Sequence, residues 1–257
     1  MNLTIHQYQT LQLAIHNNVM TIRLNRPDAR NAMNLQMCEE ILQLFDVLRF
    51  EREIRVVVIR ANGPAFCGGA DLKDMVGKSI DWVSMRRHKG LDAYLAIERC
   101  PLPVIGALHG AVIGAGCEIA AACDFAYALD SSTFQWPEVA RGGVGATQRL
   151  PRSVGKPMAK ELLFTARKLS AIEALHFGFV NQIYESQESL DAAINSTCTA
   201  ICDSYPLATR LVKRAVDTAE HFDRVTAIDI ERQLIEHSLA ENEWSDATER
   251  FMEERRR

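Results

Sequence analysis

The sequence predicts an α/β fold, with one α/β core followed by a helical C-terminal region. Three observations carry this. Residues 55–61, RVVVIRA, and 104–108, VIGAL, are short apolar runs with the length and composition of buried strands. Each closes on a glycine-bearing turn and leads into a helical segment, so strand, glycine turn and helix recur at 55–75 and 104–123. After Pro151 helical spacing takes over, and no Pro/Ser/Gly-rich linker separates the two parts. The division expected is a core over residues 1–190 and a helical region over 191–257 that has little core of its own and packs on a partner subunit or back over the site.

The elements follow in order. Leu11, Leu13 and Ile15 alternate with polar residues, and Met20, Ile22 and Leu24 do so again after Asn17-Asn18. Asn tolerates positive φ, so a hairpin with a two-residue turn is predicted. Asn34 is placed as the N-cap of a helix that runs to about residue 50, with Cys38, Ile41, Leu42, Phe45 and Leu48 at helical spacing. Residues 65–72, AFCGGADL, form a glycine loop before another helical segment, and residues 82–99 form a second amphipathic helix. Beyond Pro151, helices are expected at 161–166, 171–177, 190–202, 207–220 and 225–240, with one strand at 180–184.

Composition excludes several functions. The chain has 257 residues, 47% hydrophobic and 24% charged, enough for a large core in a soluble protein. A net charge of −4 gives no global attraction to nucleic acid or anionic membranes. No run approaches the ~18 apolar residues of a membrane span. The N-terminus, MNLTIHQYQT, has neither a signal-peptide pattern nor that of a mitochondrial presequence. Seven scattered cysteines are expected as reduced thiols in a cytoplasm-like compartment.

The chemistry concentrates between Ala111 and Glu138. Gly114-Ala115-Gly116 opens an apolar helix with Glu118 in its first turn, and Glu138 follows twenty residues later, after Trp136-Pro137. A glycine turn at a helix start leaves backbone N–H groups free and adds the positive helix end. Neither glycine loop is followed by Lys-Ser/Thr or reads GxGxxG, so phosphate cradling is not indicated. Two such turns could instead converge on one oxyanion. Glu118 on an apolar element is either functional or held in a structural bond. Two carboxylates in unlike environments supply a base and an acid. Other candidates have blander explanations. His109 lacks a nucleophile partner, Asp124 closes a helix before a strand, and Cys198 and Cys202 pack in a core without a metal cluster. Arg255-Arg256-Arg257 is expected to be a solvated tail.

At these residues the sequence resembles the crotonase, or enoyl-CoA hydratase/isomerase, superfamily. The resemblance runs from Asn25-Arg26-Pro27 and Asn31-Ala32-Met33-Asn34, through residues 65–73, AFCGGADLK, and 103–107, PVIGA, with His109-Gly110. It continues through Gly114-Ala115-Gly116-Cys117-Glu118, Cys123-Asp124, Pro137-Glu138, residues 147–152, TQRLPR, and Val154-Gly155 to Phe251, Glu253 and Arg255. It implies a crotonase-like spiral of β-β-α turns with a helical C-terminal trimerisation region, as a homotrimer or hexamer. It also implies stabilisation of an acyl-CoA thioester enolate. By position, the oxyanion donors would be the N–H groups of Ala70 and Ala115, the second usually Gly in the family. Coenzyme A, as part of the substrate, would lie along Arg26, Arg30, Ala70, Asp71 and Leu72. No metal or redox cofactor is implied.

Both carboxylates of the family's hydratases are present. The resemblance therefore implies syn addition of water to a trans-2-enoyl-CoA. Glu118 would deprotonate the water that attacks C3, and Glu138 would deliver a proton to C2. The alternatives are a family lyase, isomerase or hydrolase on another acyl-CoA, or a catalytically impaired scaffold. RNA binding of the kind some relatives show through a Lys-rich helix is not expected, because residues 35–50 contain no Lys and carry Glu39, Glu40 and Asp46. Two departures from the family pattern stand out. Trp136 precedes Pro137 and either lines an acyl pocket, where it would favour a short or flat aromatic acyl group, or packs in the core or at the trimer interface. The segment 139–146, VARGGVGA, is shorter than the family's usual spacing, so either Glu138 is displaced or residues are missing there.

Overall fold

The computed structural model describes residues 8–219, 221–241 and 243–255. The N-terminal segment weighed above as a leader lies largely outside these residues, as do Glu220, the expected end of one helix, and Arg256-Arg257 of the tail.

Strands β1 (Leu11–His16) and β2 (Val19–Leu24) form the predicted hairpin, with Asn17 and Asn18 at φ of 48° and 63°. These positive angles match the right-handed strand twist, and Asn adopts them at little cost. Helix α1 (Leu35–Leu48) starts at Asn34, whose side chain accepts from the Met37 N–H at 3.0 Å. Then come β3 (Val56–Ala61), the short α2 (Leu72–Met75) and α3 (Ile80–Glu98). They are followed by β4 (Val104–Leu108), β5 (Ala111–Ile113) and α4 (Ala115–Ala122). Next are β6 (Phe125–Leu129), β7 (Thr133–Gln135), α5 (Arg149–Val154) and α6 (Lys156–Thr165). The remainder is β8 (Leu169–Ser170), α7 (Ala171–His176), β9 (Gln182–Tyr184) and helices α8 (Gln187–Asp203), α9 (Pro206–Thr218), α10 (Arg224–Ala240) and α11 (Glu243–Glu254).

The strands form two sheets, ordered β1-β2-β3-β4-β6-β9 and β5-β7-β8. Each turn of the chain places one strand in each. β4 joins the large sheet, β5 the small one, and α4 follows; β6 and β7 repeat this before α5. In the preceding turn β3 lies in the large sheet, and Cys67 then bridges to Val112 of β5 before α2 and α3. This is the β-β-α spiral. The short strands β5, β7 and β8 were not anticipated, because two or three residues are too few to show a period and pair only once the turns are stacked.

The central strands of the large sheet, β3 and β4, are buried on both faces, which explains their unbroken apolar runs. Val57, Ile59, Val104 and Leu108 face the main core. Val56, Val58, Ile105 and Ala107 face the other way and pack with Leu190, Ile194 and Cys198 of α8. Helix α8 thus covers one face of the sheet, while α9 and α10 bury chiefly Leu211 and Leu234. Lys213 of α9 ties this helical region back through a 2.9 Å ion pair to Asp124, which also accepts from the Val104 N–H. Asp124 is therefore more than a helix terminator. His109 bonds the Gly63 carbonyl at 2.8 Å, and all seven cysteines are free thiols. Among the described residues no helix is long and apolar enough to cross a membrane.

Candidate active site

The two glycine loops lie side by side. The Cys67 N–H bonds the Ala111 carbonyl, and the Ile113 N–H bonds the Cys67 carbonyl at 2.9 Å. Gly116 permits this approach, since a Cβ there would sit 2.8 Å from both the Cβ and the carbonyl oxygen of Cys67. On the other edge Ala70 bridges to Met33, using the flanking Gly69 carbonyl and Asp71 N–H. Successive strand amides point in opposite directions, so the Ala70 N–H faces away from Met33. Ala115 begins α4, and its N–H is one of the first four that have no intrahelical acceptor. Its φ is not positive, so the backbone accommodates Ala where the family usually has Gly.

The expected coenzyme A residues gather on the same loop. Arg26 pairs with Asp71 at 2.9 Å and also donates to the Ala32 carbonyl. The Arg30 carbonyl accepts from the Gly68 N–H, while its side chain is exposed, as is that of Leu72. Asn31, wholly buried, secures this corner by accepting from the Arg26 N–H and donating to the carbonyls of Asn62 and Ala65.

Among the described residues two glutamates are buried in helices, and they differ in an informative way. Glu40 on α1 accepts from the Thr10 hydroxyl, from the N–H groups of Gln9 and Thr10 and from Gln36. Burial alone would raise its pKa, but these bonds outweigh it and hold the carboxyl below its usual range. It pins the start of β1 to α1. Glu118 receives one bond, from Arg149 Nη1 to Oε2 at 3.0 Å, and its Oε1 is buried without a partner among the described residues. Burial raises its pKa, the Arg149 charge opposes this, and the nearby Glu138 charge adds to the rise.

Glu138 stands after β7, at the start of a single 3-10 turn, Val139–Arg141. The short loop closes tightly around it: the N–H groups of Arg141 and Gly143 both bond the Glu138 carbonyl, at 3.0 and 2.8 Å. Its side chain lies between Gly114 and Gly145, and its Oε2 is also buried with no partner among the described residues. Burial raises its pKa, against Arg141 and Arg87. The short loop therefore leaves Glu138 beside the glycine turn that opens α4.

Trp136 departs from the acyl-pocket expectation. It is completely enclosed and meets Phe179 edge-on at 5.1 Å, so it forms core and lines no open acyl pocket. The strand alternation decides this: Phe134 and Trp136 point inward, while Gln135 reaches out to the Ala166 carbonyl. Sequence reasoning also missed the partner of Glu118. Arg149 lies thirty-one residues further on, and nothing in local spacing marks it as an ion-pair donor.

A pair of glycine turns with free backbone N–H groups, beside two carboxylates that each keep a buried unpartnered oxygen among the described residues, is the arrangement expected of enzymes that stabilise a developing anion while moving a proton nearby. A family profile described as enoyl-CoA hydratase/isomerase matches residues 14–257, and the chain belongs to that family, within the crotonase superfamily. It is 33% identical to the short-chain-enoyl-CoA hydratase of Clostridium acetobutylicum over 93% of this chain and 92% of the relative. It is 36% identical to the mitochondrial Delta(3,5)-Delta(2,4)-dienoyl-CoA isomerase of Homo sapiens, over 81% of this chain and 68% of that protein. The enoyl-CoA hydratase structure from Bacillus anthracis superposes with a TM-score of 0.92 at 30% identity, covering 96% of this chain and 97% of that one.

Proposed function

We propose that the chain hydrates a trans-2-enoyl-CoA. The observation that carries this is the pair of buried, unpartnered carboxylate oxygens, Glu118 Oε1 and Glu138 Oε2. Buried acceptors are rarely left without a donor unless a ligand supplies one. A water held by Glu118 loses its proton to Oε1 as its oxygen bonds to C3. The thioester oxygen gains negative charge and is held by the N–H groups of Ala70 and Ala115. Glu138 then delivers its proton to C2. Its raised pKa favours the protonated form needed for that step. Coenzyme A enters as part of the substrate, and no separate cofactor is needed.

The test is Glu118→Gln and Glu138→Gln. Each variant is expected to retain acyl-CoA binding and to lose hydration by at least ~100-fold, followed as disappearance of the enoyl thioester absorbance. Near-wild-type turnover in both refutes the proposal. The similarity to a dienoyl-CoA isomerase favours a second reading, in which the same carboxylates move a proton between carbons without adding water. Product analysis with enoyl, dienoyl and 3-hydroxyacyl thioesters separates the two. A homotrimer or hexamer is proposed as the working assembly, in keeping with the exposed Val212, Val216 and Val225 on α9 and α10, and sedimentation would test it.

A further inference from the structure

Arg149, at the start of α5, is held from two sides before it reaches Glu118. Its Nε and Nη2 donate to Glu98 Oε1 and Oε2 at 2.7 and 2.8 Å, a bidentate fork. Its guanidinium carbon lies 5.4 Å from the centre of the Tyr94 ring. Glu98 and Tyr94 both belong to α3. A fork on one edge and a ring against one face fix the guanidinium in position and plane. The remaining nitrogen, Nη1, is then aimed at Glu118 Oε2.

The result is an asymmetric carboxylate. Oε2 is taken up by a charge-assisted bond, while Oε1 is buried with no partner. We propose that Arg149 is a positioning residue of this site: braced by Glu98 and Tyr94, it locks the Glu118 carboxylate so that Oε1 alone accepts the proton of the attacking water. This rests on the hydration reading above and adds the residue that fixes its base. Burial raises the pKa of Glu118, and the Arg149 charge works against that rise, toward the ionised form a base requires. The charged and titratable groups facing Glu118 are Arg149 of α5, Glu98 and Tyr94 of α3, Glu138 beyond β7 and the adjacent Cys117.

An arginine that merely tied α3, α4 and α5 together would affect folding and nothing else. The distinguishing experiment is a carbon-13 titration of the full chain labelled at its glutamate carboxyls, with Glu118 assigned by the signal lost in Glu118→Gln. Wild type, Arg149→Gln and Arg149→Lys are compared. In Arg149→Gln the Glu118 midpoint should rise by at least about one pH unit, a tenfold gain in proton affinity. The acidic limb of kcat/KM should move with it, while kcat falls at least about tenfold and KM changes little. Arg149→Lys keeps the charge and loses the fork, so it should return most of the midpoint and only part of kcat. It also carries the test if Arg149→Gln does not fold, and full wild-type kcat in Arg149→Lys would then overturn the proposal. A Glu118 midpoint unmoved in a folded Arg149→Gln overturns it whatever the activity. A moved midpoint in a protein whose wild type never hydrates an enoyl-CoA supports the hold on Glu118 and refutes the hydration reading instead.

Discussion

Gly114 and Glu138 are in contact across the site: a Cβ built on Gly114 would lie 2.9 Å from Glu138 Oε1. Gly114 also has φ 49° and ψ −105°, a conformation L side chains avoid. One glycine therefore does two things. It turns the chain from β5 into α4, and it leaves room for the second carboxylate.

Gly114→Ala should consequently damage both. The strained backbone should cost about 1–3 kcal/mol of stability, read from urea unfolding. Displacement of Glu138 should lower kcat by at least about tenfold, since small misplacements of reacting groups are costly. A variant with unchanged kcat would show that Glu138 does not depend on this contact.

Glu138→Gln gives a stability test independent of activity. Burial raises the pKa of Glu138 in the folded chain above its unfolded value of about 4.3. The folded state then binds this proton more tightly than the unfolded state. Its contribution is fully present below about pH 4 and is lost as pH rises through the folded pKa. Gln cannot ionise. The variant should therefore gain stability relative to wild type as pH rises from acid to neutral, measured by urea unfolding at several pH values. A difference that stays constant with pH would contradict the burial of this carboxyl.

Trp136→Phe tests the assignment of this side chain to the core. Removing part of a wholly enclosed indole should leave a cavity costing about 1–3 kcal/mol. The ratio of turnover on crotonyl-CoA to that on cinnamoyl-CoA should stay the same. A shift in that ratio would return Trp136 to the acyl pocket.

The order of elements was legible wherever a local signal is strong. The Asn17-Asn18 turn, the Asn34 cap and the doubly buried runs of β3 and β4 each carry a propensity or period within a few residues. The glycine turn and Glu118 were legible for the same reason. The strands of the small sheet were not, because β5, β7 and β8 exist only through pairing with segments far away in sequence.

By itself, the sequence determined an α/β core with glycine turns opening onto two carboxylates, because backbone conformation and apolar spacing are written locally. The tertiary structure alone decided which buried glutamate is fully hydrogen-bonded and which keeps an open acceptor oxygen. Glu40 and Glu118 are both carboxylates on apolar helix faces. What separates them is how many donors the described residues bring to each: enough to satisfy Glu40, and Arg149 alone for Glu118. The same is true of Trp136 and Glu138, two residues apart. Strand alternation turns one into the core, and the tight loop after it keeps the other beside Gly114.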